Sequence, residues 1–282
     1  MSSGRCSDTC CSTSQICFNG GKCQANCLES GKRFKCACTD GFTGNRWEIK
    51  PRSCAPYIYS SNHTNGLRLI YGPNNNTYLV FCHFHVNTYP IRSATLVMSY
   101  ANSNNELFKK ESLKKDFTRY QNKPNWLKYR LSLERMKALR DESTHWTFTC
   151  AYDTRGFLHR DYLRVKFEKC DILTHIRSSN RQTIDVTYVN IRGRVCRDCK
   201  LNVAQGTYIF HVYKYGGNGW EGYPTKMCGT VRARYFGVYN CVDTSFACTA
   251  SSTSTTQLWF TNYLQPWARG EINDNIPYTI SS

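Results

Sequence analysis

No window of the chain approaches 18 consecutive apolar residues, which argues against a membrane-spanning helix. The opening residues, MSSGRCSD, carry no basic-then-apolar leader. Gly-x-Ser-x-Gly, His-Glu-x-x-His and a phosphate-binding glycine loop are all missing. Acidic residues are scarce, 20 against 37 lysines and arginines, and nothing pairs two carboxylates for acid–base work. These absences predict a protein that is not an enzyme, with no catalytic residues and no cofactor. The formal charge of +17 is large, but no known nucleic-acid-binding fold accompanies it. Nucleic acid is therefore not an expected partner. A basic surface of this kind suits sulfated glycans, acidic matrix proteins or anionic lipid heads, and a merely soluble charged surface is its plainer account.

What is present in excess is cysteine. The chain of 282 residues is long enough for one small domain and one large one, and it carries 17 cysteines. Several of them crowd into the first fifty residues, where apolar residues are too few to fold on a core alone, so cross-links must hold that stretch. This places the chain outside the reducing cytosol: secreted, in an extracellular matrix. The reading expects that a leader has been removed or that the chain is part of a longer one. The cysteine count is odd, so at least one is free or pairs with another chain. An intermolecular disulfide suits a matrix protein, and a truncated neighbour explains the count equally well.

Residues 11–48 hold Cys11, Cys17, an Asn19-Gly20-Gly21 turn, Cys23, the pair Cys36 and Cys38, and a Gly41-Phe42-Thr43-Gly44 turn. The stretch resembles an EGF-like module, preceded by a cysteine-containing segment, 1–10. The resemblance implies the bridges Cys11–Cys23 and Cys17–Cys36. It also implies a third bridge from Cys38 to a cysteine beyond the glycine turn, where this chain has Trp47. Cys38 must then find Cys27, Cys54 or a neighbour in the 6–10 segment. Cys10 and Cys11 look to different partners, and Cys6 with Cys10 is one short loop. Each bridge stabilises by about 2–4 kcal/mol. Some EGF-like modules bind calcium through an acidic pair before the first cysteine; only Asp8 stands there, so no calcium role is expected. Residues 49–53 form a short polar link.

From Cys54 the texture changes to strands of period two, at 67–71 and 78–86. In the second, Tyr78, Val80, Cys82, Phe84 and Val86 share a face, and Asn74-Asn75-Asn76 supplies the turn before it. This opening resembles that of a fibrinogen C-terminal-like domain, which implies a Cys54–Cys82 bridge. The family usually places an aspartate after the second cysteine; here His83 follows it. Residues 125–143 parallel the family's strand-then-helix segment. Ser132 is a good N-cap, Glu134 suits the first turn, and Leu133, Met136 and Leu139 fall at helical spacing toward a core. Residues 145–167 parallel its next hairpin, with Trp146, Phe148 and Cys150 alternating on one strand and Tyr162, Leu163, Val165 and Phe167 on the other. Beyond residue 170 the likeness thins, and the acidic stretch 271–275 has no alternating carboxylates for calcium. The expected fold is a small disulfide-rich EGF-like module plus a mostly β (α+β) divergent fibrinogen-like domain spanning 54–282. The same mixture resembles secreted cnidarian proteins, among them skeletal organic matrix proteins of stony corals, which implies extracellular deposition without catalysis.

Several smaller motifs remain. Asn62-His63-Thr64 and Asn75-Asn76-Thr77 are glycosylation acceptors by pattern, so a glycoprotein is expected. Cys196 and Cys199 have zinc or redox spacing, but their neighbours are strand-like and no second close pair exists. They are read as structural disulfide cysteines, as is Cys241 with Cys248 as a short loop. Cys150 with Cys170 could bridge paired strands. His83 and His85 point off one strand face and could hold zinc or copper, but no third ligand is evident and a half-exposed face accounts for them, so no metal is expected. The densest basic run is Lys109, Lys110, Lys114, Lys115 and Arg119, continuing through Lys123, Lys128 and Arg130. A solvated face is its default reading and a polyanion-binding strip the functional one. The expected function is a secreted, non-enzymatic matrix or cell-adhesion protein with matrix components or anionic glycans as partners, biomineralisation of a calcified skeleton being one setting. The alternative is a fibrinogen-related, lectin-like protein that reads glycans.

Overall fold

The computed structural model describes residues 17–19, 21–25, 34–37, 42–43, 48–59, 64–86, 90–174, 182–213 and 234–264. Near the start, β1 (Lys22–Ala25) and β2 (Phe34–Ala37) pair antiparallel with Cys23 opposite Cys36. A turn precedes them: the Gly21 N–H donates to the Phe18 carbonyl, and Asn19 takes a left-handed conformation that asparagine tolerates. Cys17 is bonded to Cys36, and Cys23 is bonded to a partner outside the described residues.

The remaining strands form one antiparallel sheet of eleven among the described residues. In chain order they are β3 (Gly66–Tyr71), β4 (Thr77–His85), β5 (Ile91–Ala101), β6 (Lys128–Arg130), β7 (His145–Cys150), β8 (Tyr162–Lys166), β9 (Gln182–Ile191), β10 (Arg194–Ala204), β11 (His211–Tyr213), β12 (Arg234–Tyr235) and β13 (Thr255–Leu264). In space they run β12-β11-β10-β9-β8-β7-β13-β5-β4-β3, with β6 beside β5. Most neighbours in space are neighbours in sequence, as hairpin connections dictate. The exception is β13, which inserts between β5 and β7 and is hydrogen-bonded along both edges. Its register with β5 shifts between Leu258 and Trp259, where β5 carries Val97 as an extra residue. The fold is thus mostly β, as expected, with three short α-helices among the described residues.

The central strands alternate strictly, and the alternation separates two faces. Trp146 and Phe148 of β7 point the same way as Leu258 and Phe260 of β13 and Leu163 and Val165 of β8, all buried. They meet Phe210, Phe236 and Phe246, with the rings of Phe148 and Phe210 stacked at 5.3 Å. Gly237 passes so close that a Cβ there would sit 2.0 Å from the Phe210 carbonyl oxygen, so no other residue fits. α1 (Asn105–Phe108) adds Phe108, stacked on Tyr100 at 4.6 Å. α2 (Leu133–Asp141) is capped by the Ser132 side chain, which accepts from the Arg135 N–H, and it buries Met136 and Leu139. The opposite face of β7 and β13 carries His145, Thr147, Thr149, Gln257, Trp259, Thr261 and Tyr263. That face is covered too. After β7, Ala151 turns left-handed into α3 (Tyr152–Arg155), and the following segment folds back across the sheet.

Candidate functional site

Cross-strand register lines up a row of basic and aromatic side chains on this second face. His85 lies opposite Arg92, Arg92 opposite Tyr263, Arg164 opposite Tyr188, and Tyr188 opposite Arg197. Directly opposed residues interact across a sheet. Arg164 donates from Nη1 to the Tyr263 hydroxyl at 2.6 Å, and its guanidinium lies 5.0 Å from that ring. The Arg92 guanidinium approaches the same ring at 5.7 Å, and Arg197 lies 5.1 Å from the Tyr188 ring. The His145 ring packs 4.4 Å from Tyr263.

The row is densest at its β4 end. His83 and Arg92 are each 8% exposed. His83 Nδ1 meets the Tyr152 hydroxyl at 2.8 Å, and Arg92 Nη1 lies 3.2 Å from His159 Nε2. The His83 ring stacks on Phe157 at 4.8 Å and touches His85 at 4.2 Å. Phe157 also lies edge-on to His85 at 4.7 Å, so one ring covers both imidazoles. Gly156 makes this return possible. Its φ of +70° ends α3 in a conformation that other residues resist, and a Cβ there would meet open space.

Burial leaves three polar atoms of this cluster without partners: His83 Nε2, His85 Nε2 and Arg92 Nε. Arg164 Nε is a fourth along the row. Among the described residues no carboxylate answers either arginine. The ion pairs among the described residues are Lys109–Glu106, Lys115–Glu111, Lys166–Glu168 and those of Arg140 with Asp141 and Asp171. Burial, helped by Arg92, pushes the His83 pKa down to about 4. Burial with His83, Arg92 and His159 pushes His85 to about 3, and burial with Arg164 and Lys166 pushes His145 to about 3. The imidazoles are therefore neutral at pH 7 and serve as hydrogen-bonding groups. The Tyr152 hydroxyl is pushed up by burial and stays protonated. A fixed cation, neutral hydrogen-bonding rings and no carboxylate form an arrangement suited to holding an electron-rich group.

The expectation of a half-exposed histidine face is corrected for His83, which the segment after β7 buries; His85 keeps partial exposure. Among the described residues no group of three or more His, Cys, Asp or Glu could hold a metal. Cys54 is bonded to Cys82, and Cys196 to Cys199 within β10. The short Cys241–Cys248 loop is also corrected, since Cys248 is bonded to Cys150 across 98 residues. Hydrogen bonds from Asp243 N to the Thr249 carbonyl and from Thr249 N to the Phe246 carbonyl close a tight turn that aims Cys248 into the core. Cys241 is bonded to a partner outside the described residues. A Cys150–Cys170 bridge is ruled out by register. Cys150 ends β7 at one end of the hairpin, and Cys170 follows β8 beyond the His145–Lys166 pair at the other. Five residues of strand separate those ends, roughly 17 Å, well outside disulfide reach. Cys170 is a free thiol with 0% exposure, and burial pushes its pKa up to about 12. It offers nothing to another chain. Cys11 and Cys38 lie outside the described residues.

Within the basic run, Lys109 pairs with Glu106 and Lys115 with Glu111. Arg119 lies 3.9 Å over the Phe117 ring, and Lys110 and Lys114 extend from the same loop. Arg130, read as part of the run, is instead fully buried and donates to the carbonyls of Glu111, Ser112 and Lys115. It clamps the loop that presents the lysines. Asn75 is exposed in the β3–β4 turn, where Lys50 Nζ donates to its Oδ1 at 2.9 Å; Asn62 lies outside the described residues. Sequence reasoning missed Arg92, Tyr152, Phe157 and His159. The one signal toward them was the strict alternation of β7, because the cluster exists only once cross-strand register is known. Comparison with family models, with curated proteins and with solved structures found no match.

Proposed function

We propose that this chain is a secreted, non-enzymatic component of an extracellular matrix or adhesion layer, an EGF-like module leading into a domain of fibrinogen-like descent. It engages anionic matrix partners through its basic surface. The observation that carries this reading is uncompensated positive charge on a cross-linked scaffold. The net charge is +17, and ion pairs among the described residues engage four cations, Lys109, Lys115, Arg140 and Lys166. Bridges at Cys17–Cys36, Cys54–Cys82 and Cys150–Cys248 suit an oxidising compartment. The resemblance to coral skeletal matrix proteins suggests a place in the organic framework of a calcified skeleton. A basic protein belongs in that framework more readily than on the crystal face.

The test is retention on immobilised sulfated glycan across a salt gradient. Charge tethering predicts retention at low salt that is lost as salt screens the surface. Free passage at low salt overturns it. The second reading, lectin-like recognition of glycans, is favoured by the unpartnered polar atoms around Arg92. It predicts saturable binding that survives high salt.

A further inference from the structure

We propose that Arg92, His83 and His85 form a discrete oxyanion-binding site that takes one sulfate or carboxylate group of an acidic saccharide. The saccharide rests on the anion-binding reading above; the oxyanion rests on the geometry. A buried guanidinium without an ionised partner is costly, and buried polar atoms are almost always hydrogen-bonded. Here the Nε of a nine-tenths-buried arginine and two imidazole Nε2 atoms are left open in one cluster. The cluster is fixed by the His85–Arg92 register pair and by ring contact between His83 and His85.

Other occupants fit less well. A metal cation meets the Arg92 charge and finds two imidazoles, one ligand short of the simplest protein site. A covalent reaction finds no activated nucleophile or carboxylate. An oxyanion matches the planar donors of a guanidinium and gains a charge-assisted bond. His83 supplies a neutral donor. When the Tyr152 hydroxyl donates to Nδ1, the hydrogen of the neutral ring sits on Nε2. The cluster lies under Phe157, carried by the segment after Gly156, whose next residue, Leu158, is 48% exposed. Phe157 is the ring that His83 and His85 share, and Tyr152 packs on His83 as well, at 5.3 Å. Arg164 and Arg197 continue the row and give further acidic groups of the same saccharide a cationic path.

The experiment is calorimetric titration of the full chain with a heparin-derived sulfated disaccharide at physiological salt. Inorganic sulfate and acetate are then used as competitors at matched ionic strength, to identify which group the site takes. The expected result is saturable one-to-one binding that Arg92→Met weakens about tenfold or more, while Lys137→Met on the exposed side of α2 leaves it unchanged. Arg92→Met keeps the volume and removes an unpaired charge, so its melting temperature should equal or exceed the wild-type value. If that variant does not fold, His85→Gln carries the test, with the same loss expected. Undiminished binding by the variants overturns the site. So does a crystal grown with the disaccharide in which an ordered water alone meets the three atoms. Retention of wild type and Arg92→Met alike on the glycan column, with no saturable titration, overturns the site and leaves the matrix reading standing. Loss of both overturns both.

Discussion

The two faces of β7 and β13 share one backbone and one alternation yet are built for different ends. On one face Trp146 packs against Phe148 and Phe210 and donates its indole N–H to the Cys170 carbonyl at 2.7 Å. On the other Trp259 donates to Thr149 Oγ1 at 2.8 Å and packs on Tyr152 at 4.7 Å, in a layer threaded with Thr, Gln, His and Arg. The first face is closed: its side chains are apolar and mutually packed. The second is also covered, yet it retains donors that nothing answers. Burial alone therefore does not make a core. A face that hides unpaired polar atoms gives up stability, and function is the usual reason a protein tolerates that.

Three perturbations sharpen this contrast. The largest effect belongs to the apolar face: Trp146→Ala should cost about 3–5 kcal/mol in urea unfolding, from lost burial and the cavity left behind. A loss below about 1 kcal/mol would show that the two faces do not differ in this way. Next is Gln257→Ala. Gln257 accepts from Thr149 Oγ1 and the Tyr152 N–H and donates to Thr255 and Ser99, so its removal strands several buried groups. About 1–3 kcal/mol should be lost, with faster hydrogen exchange at Tyr152–Arg155. Unchanged exchange would mean that Gln257 does not hold that segment to the sheet.

The third perturbation is pH. His83, His85 and His145 titrate at about 4, 3 and 3 when folded, against 6.5 when unfolded. Above pH 6.5 both states are neutral and stability is full. As pH falls below that, the unfolded chain takes up protons that the native state refuses, and stability drops progressively toward pH 4. The urea midpoint should fall steadily between pH 6.5 and 4.5, and His145→Gln should remove one share of the slope. A flat profile in that window would mean these rings are solvated in the native protein.

Local signals were legible in the chain. The cap at Ser132, the alternation of Tyr78 through Phe84 and the β7–β8 hairpin depend on neighbours a few residues away, and each stands where its pattern placed it. The non-local features were not. β13 went unread although Leu258 and Phe260 alternate with Gln257, Trp259 and Thr261, because its polar face is itself buried and blunts the contrast. Arg130 looked like one charge among many until three carbonyls enclosed it. Arg92 had no motif at all. Its meaning arises from residues at 83, 85, 152 and 157, which only the sheet brings together.

The place of β13 has a consequence for biosynthesis. Its two partners, β5 and β7, are translated more than a hundred residues earlier and must wait, each with an open hydrogen-bonding edge, until the strand between them leaves the ribosome. Cys150 waits almost as long for Cys248. Such long-range closure makes folding slow and keeps the nascent chain exposed to edge-to-edge association. A polypeptide stalled before Thr255 therefore holds two unfinished half-sheets, and its survival depends on the chaperones and oxidases that meet it first.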